Sequence, residues 1–156
     1  MNKLNYDQQA NQLGKAIDIA VDAFKKFPPP GFNETNLDNF IKTYLSWKDR
    51  LSSPEPQYKN LKSLQYEIQN VLTYFQESSG ATVEYFWQQI EHFKLGYKRE
   101  NKIEKILKRK KIKNDIEYNF VVDVLVPYQQ ENIITSDDVV LINNLLSDYE
   151  RKHQKH

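Results

Sequence analysis

Apolar residues near the start of the chain fall at Tyr6, Ala10, Leu13, Ile17, Val21 and Phe24. Steps of three or four residues place them on one stripe of a helix. That helix is predicted to end near Phe27, because Pro28, Pro29, Pro30 and Gly31 follow and a residue before proline is pushed out of the α region. A second helix is expected after Asn33 or Thr35, either of which can cap it. Its apolar face would be Leu37, Phe40, Ile41, Tyr44, Leu45 and Leu51, with Trp47 beside it. Ser52–Pro56 reads as a connector. A third helix follows from about Gln57 to Glu77 along Tyr58, Leu61, Leu64, Ile68, Leu72 and Phe75. Gly80 marks its stop, Ser79 or Thr82 can cap a fourth helix, and Val83, Phe86, Trp87, Ile90 and Phe93 form that helix's apolar face, with fraying near Gly96.

Beyond Gly96 the pattern is sparser. Ile103, Ile106 and Leu107 make a short amphipathic piece that runs into the basic stretch KRKKIK. Asn114 or Asp115 can then cap a helix containing Ile116, Phe120, Val121, Val124 and Leu125. Phe120–Val126 is β-branched enough for a short strand, and that alternative stays open, although no second segment offers to pair with it. Pro127 should close or kink the helix. Thr135 with Asp138 fits a capping box, and Val139, Ile142, Leu145, Leu146 and Tyr149 continue as a terminal helix. Residues 152–156 are expected to fray. The sum is an all-α protein, an antiparallel helical bundle of six to seven helices. Residues 1–95 would form a four-helix part, and 96–151 a basic segment with C-terminal helices packing on it, in one domain overall.

Composition narrows the classes. With only 4 glycines in 156 residues, a turn-rich sandwich and a phosphate-cradling glycine loop are both disfavoured. The absence of cysteine removes disulfides, thiolate nucleophiles and sulfur-ligated zinc. The N-terminal segment lacks the apolar core of a secretory signal, and no stretch approaches a membrane span. A cytoplasmic address is the expectation, and length and composition suit a small bacterial accessory protein.

The formal net charge is +1, and it hides a partition. Residues 94–113 hold ten basic side chains against two acids, Glu100 and Glu104, whereas residues 114–156 are net acidic. Lys98, Arg99, Lys102, Lys105, Lys108, Arg109, Lys110 and Lys111 are the candidate binding patch, with Tyr97 and Trp87 as neighbouring aromatics. Such a patch can steer an acidic protein, pair with the acidic segment of its own chain, neutralise nucleic-acid phosphates, or stand as a solvated face. Lysine outnumbers arginine eight to two here, which disfavours bidentate, sequence-specific base reading. A helix-turn-helix match across residues 102–125 is weak, because the second helix opens with Asp115 and Glu117. Bases could stack on Tyr97 and Trp87, but the helical position of Trp87 favours core or interface.

Catalytic chemistry finds little to start from. The histidines are His92, His153 and His156, and Gln89 occupies the position where a di-iron bundle would place a glutamate. No nucleophile elbow, Walker lysine or dinucleotide fingerprint occurs. No catalytic residue, metal or cofactor is therefore expected. The reading is a non-enzymatic protein-interaction module, an adaptor or a neutralising, immunity-like partner of another protein, with an acidic protein as one option. Non-specific nucleic-acid binding through residues 94–113 is the second reading. Homo-oligomerisation stays open, since amphipathic stripes can close within a chain or across a two-fold axis; no membrane partner is expected.

Overall fold

The computed structural model describes residues 5–153. The protein is all-α and bundle-like, with seven α-helices and no strand among the described residues. They are α1 (Tyr6–Lys26), α2 (Glu34–Ser52), α3 (Leu61–Glu77), α4 (Ala81–His92), α5 (Glu104–Arg109), α6 (Asp115–Gln130) and α7 (Ser136–His153), with a 3-10 turn at Pro56–Tyr58. No helix among these residues is long and apolar enough to cross a membrane.

The chain divides into two compact units that interleave in sequence. Unit 1 comprises the residues up to Gln76 together with Gly80–Lys98, and unit 2 comprises Glu77–Ser79 together with the residues from Arg99 onward. Each has its own apolar cluster.

In unit 1, α1 packs against both α2 and α4. Its burial is accordingly wider than one stripe: Ala16, Ala20 and Ala23 are as fully buried as Leu13, Ile17 and Phe24. Small side chains there let neighbouring backbones approach. Phe24 sits among the rings of Phe40, Tyr44, Tyr74 and Phe75 at centroid distances of 5.2–5.6 Å, spacings that favour offset and edge-on aromatic packing. Tyr44 is buried, and its hydroxyl donates to the Val71 carbonyl at 2.8 Å. Two buried polar side chains are also satisfied: Thr82 Oγ1 donates to the Phe27 carbonyl, and Gln76 Nε2 donates to the Lys98 carbonyl at 2.7 Å. A surface clasp joins α1 to α4, in which the Tyr85 hydroxyl donates to Asp22 and Lys26 Nζ donates to Tyr85 at 3.2 Å.

Caps explain where the helices begin. Asn5 and Gln8 form a reciprocal box at α1, Asn33 caps α2, and the Asn60 side chain accepts from the Ser63 amide at 2.9 Å at the start of α3. Neither Ser79 nor Thr82 caps α4; its N-cap is Gly80, without a side-chain bond.

Several expected core positions are exposed. Leu45 lies off the buried side of α2, and Tyr58 stands in the separate 3-10 turn, ahead of a helix that begins only at Leu61 and leaves that residue exposed too. Phe93 is 58% exposed because α4 ends just before it. The Leu95 amide turns back to the Ile90 carbonyl at 3.1 Å and the Lys94 amide to Glu91 at 3.0 Å, so Leu95 is buried in its place.

In unit 2, α7 packs against both α5 and α6. Ile103, Ile106, Ile112, Val121, Val124, Tyr128, Ile142 and Leu145 are buried between them. Phe120–Val126 is helical throughout, which corrects the strand alternative: its backbone groups bond within α6, and no neighbouring strand exists to offer a ladder. Pro127 neither closes nor ends that helix, which runs three residues further. Asp123, whose carbonyl loses its amide donor to the proline, is exposed, so water can supply the missing bond. Ile116 is 82% exposed, on the side of α6 away from Val121, Val124 and Tyr128. Thr135 and Asp138 exchange side-chain-to-amide bonds of 3.1 and 3.0 Å at the start of α7, the expected capping box.

Lys152 and His153, expected to fray, belong to α7, where the His153 ring stacks on Tyr149 at 4.0 Å. The rest of the expected frayed tail, including His156, lies outside the described residues. The corner Glu77–Ser79 is tied into unit 2 by Arg99, which donates to the Ser78 carbonyl at 2.6 Å, and by Ser79, which donates to Gln130 Oε1 at 2.6 Å.

Candidate functional site

The basic segment does not lie on one element. Lys94 and Lys98 belong to unit 1, along with Tyr97 and Trp87; Arg99 and the basic residues from Lys102 to Lys113 belong to unit 2. The candidate patch therefore resolves into two groups with different local chemistry.

In unit 1, both aromatics serve packing. Trp87 is half-buried, its indole N–H donates to the Phe75 carbonyl at 2.8 Å, and its ring meets Phe86 edge-on at 5.1 Å. Tyr97 packs against the same cluster, and burial pushes its hydroxyl up to about 12. Both rings are partly buried against that cluster. Lys98 is exposed, with its carbonyl committed to Gln76.

In unit 2, the two arginines of the basic segment make structural bonds. Arg99 is partly buried, which lowers its pKa, and its guanidinium serves the Ser78 carbonyl. Arg109 bonds the Glu117 carboxylate at 2.5 Å through one terminal nitrogen and the Lys111 carbonyl at 3.0 Å through Nε. Glu117 also accepts from the Lys113 amide at 2.8 Å, while its own amide donates to the Asn114 side chain at 2.9 Å. The Arg109 hydrogen bond, followed by that of the Lys113 amide and the nearby positive charges, holds the Glu117 carboxyl below the usual carboxylate range. Ile112 is buried and anchors the same turn.

These bonds fix the backbone between α5 and α6 and leave its lysines outward. Lys110, Lys111 and Lys113 are exposed and make no ion pair among the described residues; the same holds for Lys102 and Lys105. Lys108 pairs with Glu104 at 3.2 Å, an exposed contact of small energetic weight. Lys110 sits at φ 60°, a left-handed conformation that a lysine adopts only at a cost. Among the described residues, Arg109–Glu117 is the ion pair formed between the basic segment and the acidic residues after it. The lysines of the turn thus keep their charge available to solvent or a partner.

Sequence patterning identified the charge cluster but not its brace. The signal for the brace was present: Arg109 and Glu117 flank a short turn with Asn114 as cap. Only the turn geometry shows that these groups converge. The exposed His92 ring lies edge-on to Phe93, and no three metal-ligating side chains come together among the described residues. The chain matches no protein-family model, no curated protein and no solved structure.

Proposed function

We propose that this protein is a non-enzymatic, cytoplasmic interaction module that docks an acidic protein surface on the turn between α5 and α6, as an adaptor or a neutralising partner. The supporting observation is the braced turn. Its backbone is held by Arg109, Glu117, Asn114 and buried Ile112, while Lys110 and Lys111 are exposed and form no ion pair among the described residues, and Lys113 lies exposed near Glu117. A pre-ordered turn spends little conformational entropy on binding, and unpaired lysines steer an acidic surface by long-range attraction. Nucleic acid is the less favoured ligand, because both arginines of the segment are committed internally and the indole of Trp87 is packed.

The test is affinity capture at low salt with the wild-type chain and with K110E/K111E/K113E. An acidic protein retained by the former, lost from the latter and eluted by about 0.5 M salt, where the screening length falls to a few ångströms, supports the reading. Equal retention by both chains refutes it. Steeply salt-dependent binding of labelled DNA or RNA by the wild-type chain, without a protein partner, would move the function to nucleic acid.

A further inference from the structure

Helix α1, the end of α2 and the connector to α3 line an open groove of about 370 Å³ in unit 1. That volume lies in the range of sites for small organic molecules. Ala10, Leu51 and Pro54 contribute apolar lining, and Gly14 lines it from the middle of α1. Glycine inside a helix costs about 1 kcal/mol relative to alanine. Nothing lies within 4 Å of the position a Gly14 Cβ would take, so packing within the chain does not require its absence. Gly14 leaves that part of the groove wall without a side chain.

The charges around the groove divide clearly. Asp18 pairs with Lys48 at 2.7 Å. Asp7 stands in the first turn of α1, where a carboxylate complements the exposed amides and the helix dipole. Lys15 on α1 and Lys59 on the connector are exposed and make no ion pair among the described residues. Apolar residues, the exposed Lys15 and Lys59, and the Asp7 carboxylate thus line one groove.

We propose that this groove binds a small organic anion: an apolar body of ring size bearing one phosphate or carboxylate, with the anionic group between Lys15 and Lys59 and the body against Ala10, Gly14, Leu51 and Pro54. The site is independent of the basic turn in unit 2. Lysine supplies compact ammonium charge suited to a single anionic group, and Ala10, Leu51 and Pro54 offer apolar contact to the body beside it.

The experiment is amide chemical-shift titration of the full chain with phenyl phosphate, inorganic phosphate and benzyl alcohol as probes. Phenyl phosphate should shift amides of residues 6–18 and 48–59 saturably, and each of the other probes should bind about tenfold more weakly or worse. K15A/K59A should weaken phenyl phosphate by about tenfold, and G14L should fill the groove and abolish binding with an unchanged circular dichroism spectrum. G14A provides a second variant with opposed effects: a higher melting temperature and weaker binding. Absence of saturable shifts, equal binding of benzyl alcohol, or phenyl phosphate binding indifferent to both Gly14 variants would overturn the proposal.

Discussion

Replacing Glu117 by alanine isolates the brace of the basic turn. The carboxylate accepts from Arg109 at 2.5 Å and from the Lys113 amide at 2.8 Å. The side chains of Arg109 and Glu117 are 30% and 24% exposed, so the ion pair is worth no more than about 1 kcal/mol. The bond from the Lys113 amide adds about 1 kcal/mol. E117A should therefore cost about 1.5–2 kcal/mol at neutral pH, lowering the urea midpoint by about 0.75–1 M for an m-value of about 2 kcal/mol/M. The folded-state pKa of Glu117 is lowered from an ordinary value of 4.5. Its contribution is thus fully present above that ordinary value and is lost as pH falls through the lower folded value. Urea titrations followed by far-ultraviolet circular dichroism at pH 7 and pH 3 check this. The gap between wild type and E117A should be largest at pH 7 and should narrow at pH 3. A gap of equal size at both pH values, or none at pH 7, refutes the brace.

Three further outcomes follow from the fold. Phe24→Ala empties the centre of the aromatic cluster in unit 1 and should cost about 3–5 kcal/mol, read as a large drop in melting temperature; a loss below about 1 kcal/mol would show that the cluster is loosely packed. Lys94→Gly and Lys110→Gly relieve left-handed backbone at φ 53° and 60°; after the entropic cost of glycine, each should stabilise by about 0.5–1 kcal/mol in thermal melts, and destabilisation by both would contradict those conformations. Tyrosine absorbance at 295 nm should show a late-titrating group: Tyr97 is pushed up to about 12 by burial, Tyr149 to about 12 chiefly by its hydrogen bond to Asp115, and buried Tyr44 is raised above the usual value. Because these phenols ionise more easily once unfolded, stability is complete below about pH 10 and declines above it. Simultaneous ionisation of all ten tyrosines near pH 10 in a still-folded chain would refute it.

Much of the helix plan was legible because caps and periodicity are local. Asn33, Asn114 and the Thr135–Asp138 box sit where spacing placed them. Phe93 was misplaced because the α4 terminus uses Lys94 rather than glycine in the left-handed position, so no residue type announced the turn that exchanges Phe93 for Leu95. Ile116 misled for another reason: α6 carries apolar residues around much of its circumference, and local pattern cannot say which side meets a neighbour. At the candidate site, the charge cluster was visible as composition. Its division between two units, and the withdrawal of Arg99 and Arg109 into structural bonds, arise from contacts distant in sequence. Periodicity carries no information about those.

The short corner Glu77–Ser79 bears on how this chain can be cut. It connects α3 to α4, yet it is counted with the residues that follow Lys98. A fragment ending at Lys98 would keep the Ser78 carbonyl and Ser79 hydroxyl but lose Arg99 and Gln130, which bond them. The complementary fragment would have those two side chains and no corner to receive them. During synthesis, the corner that emerges first likewise carries an acceptor, the Ser78 carbonyl, and a donor, the Ser79 hydroxyl, whose partners are translated about twenty and fifty residues later. A cut at Lys98 therefore separates a three-residue corner from the two side chains that bond it.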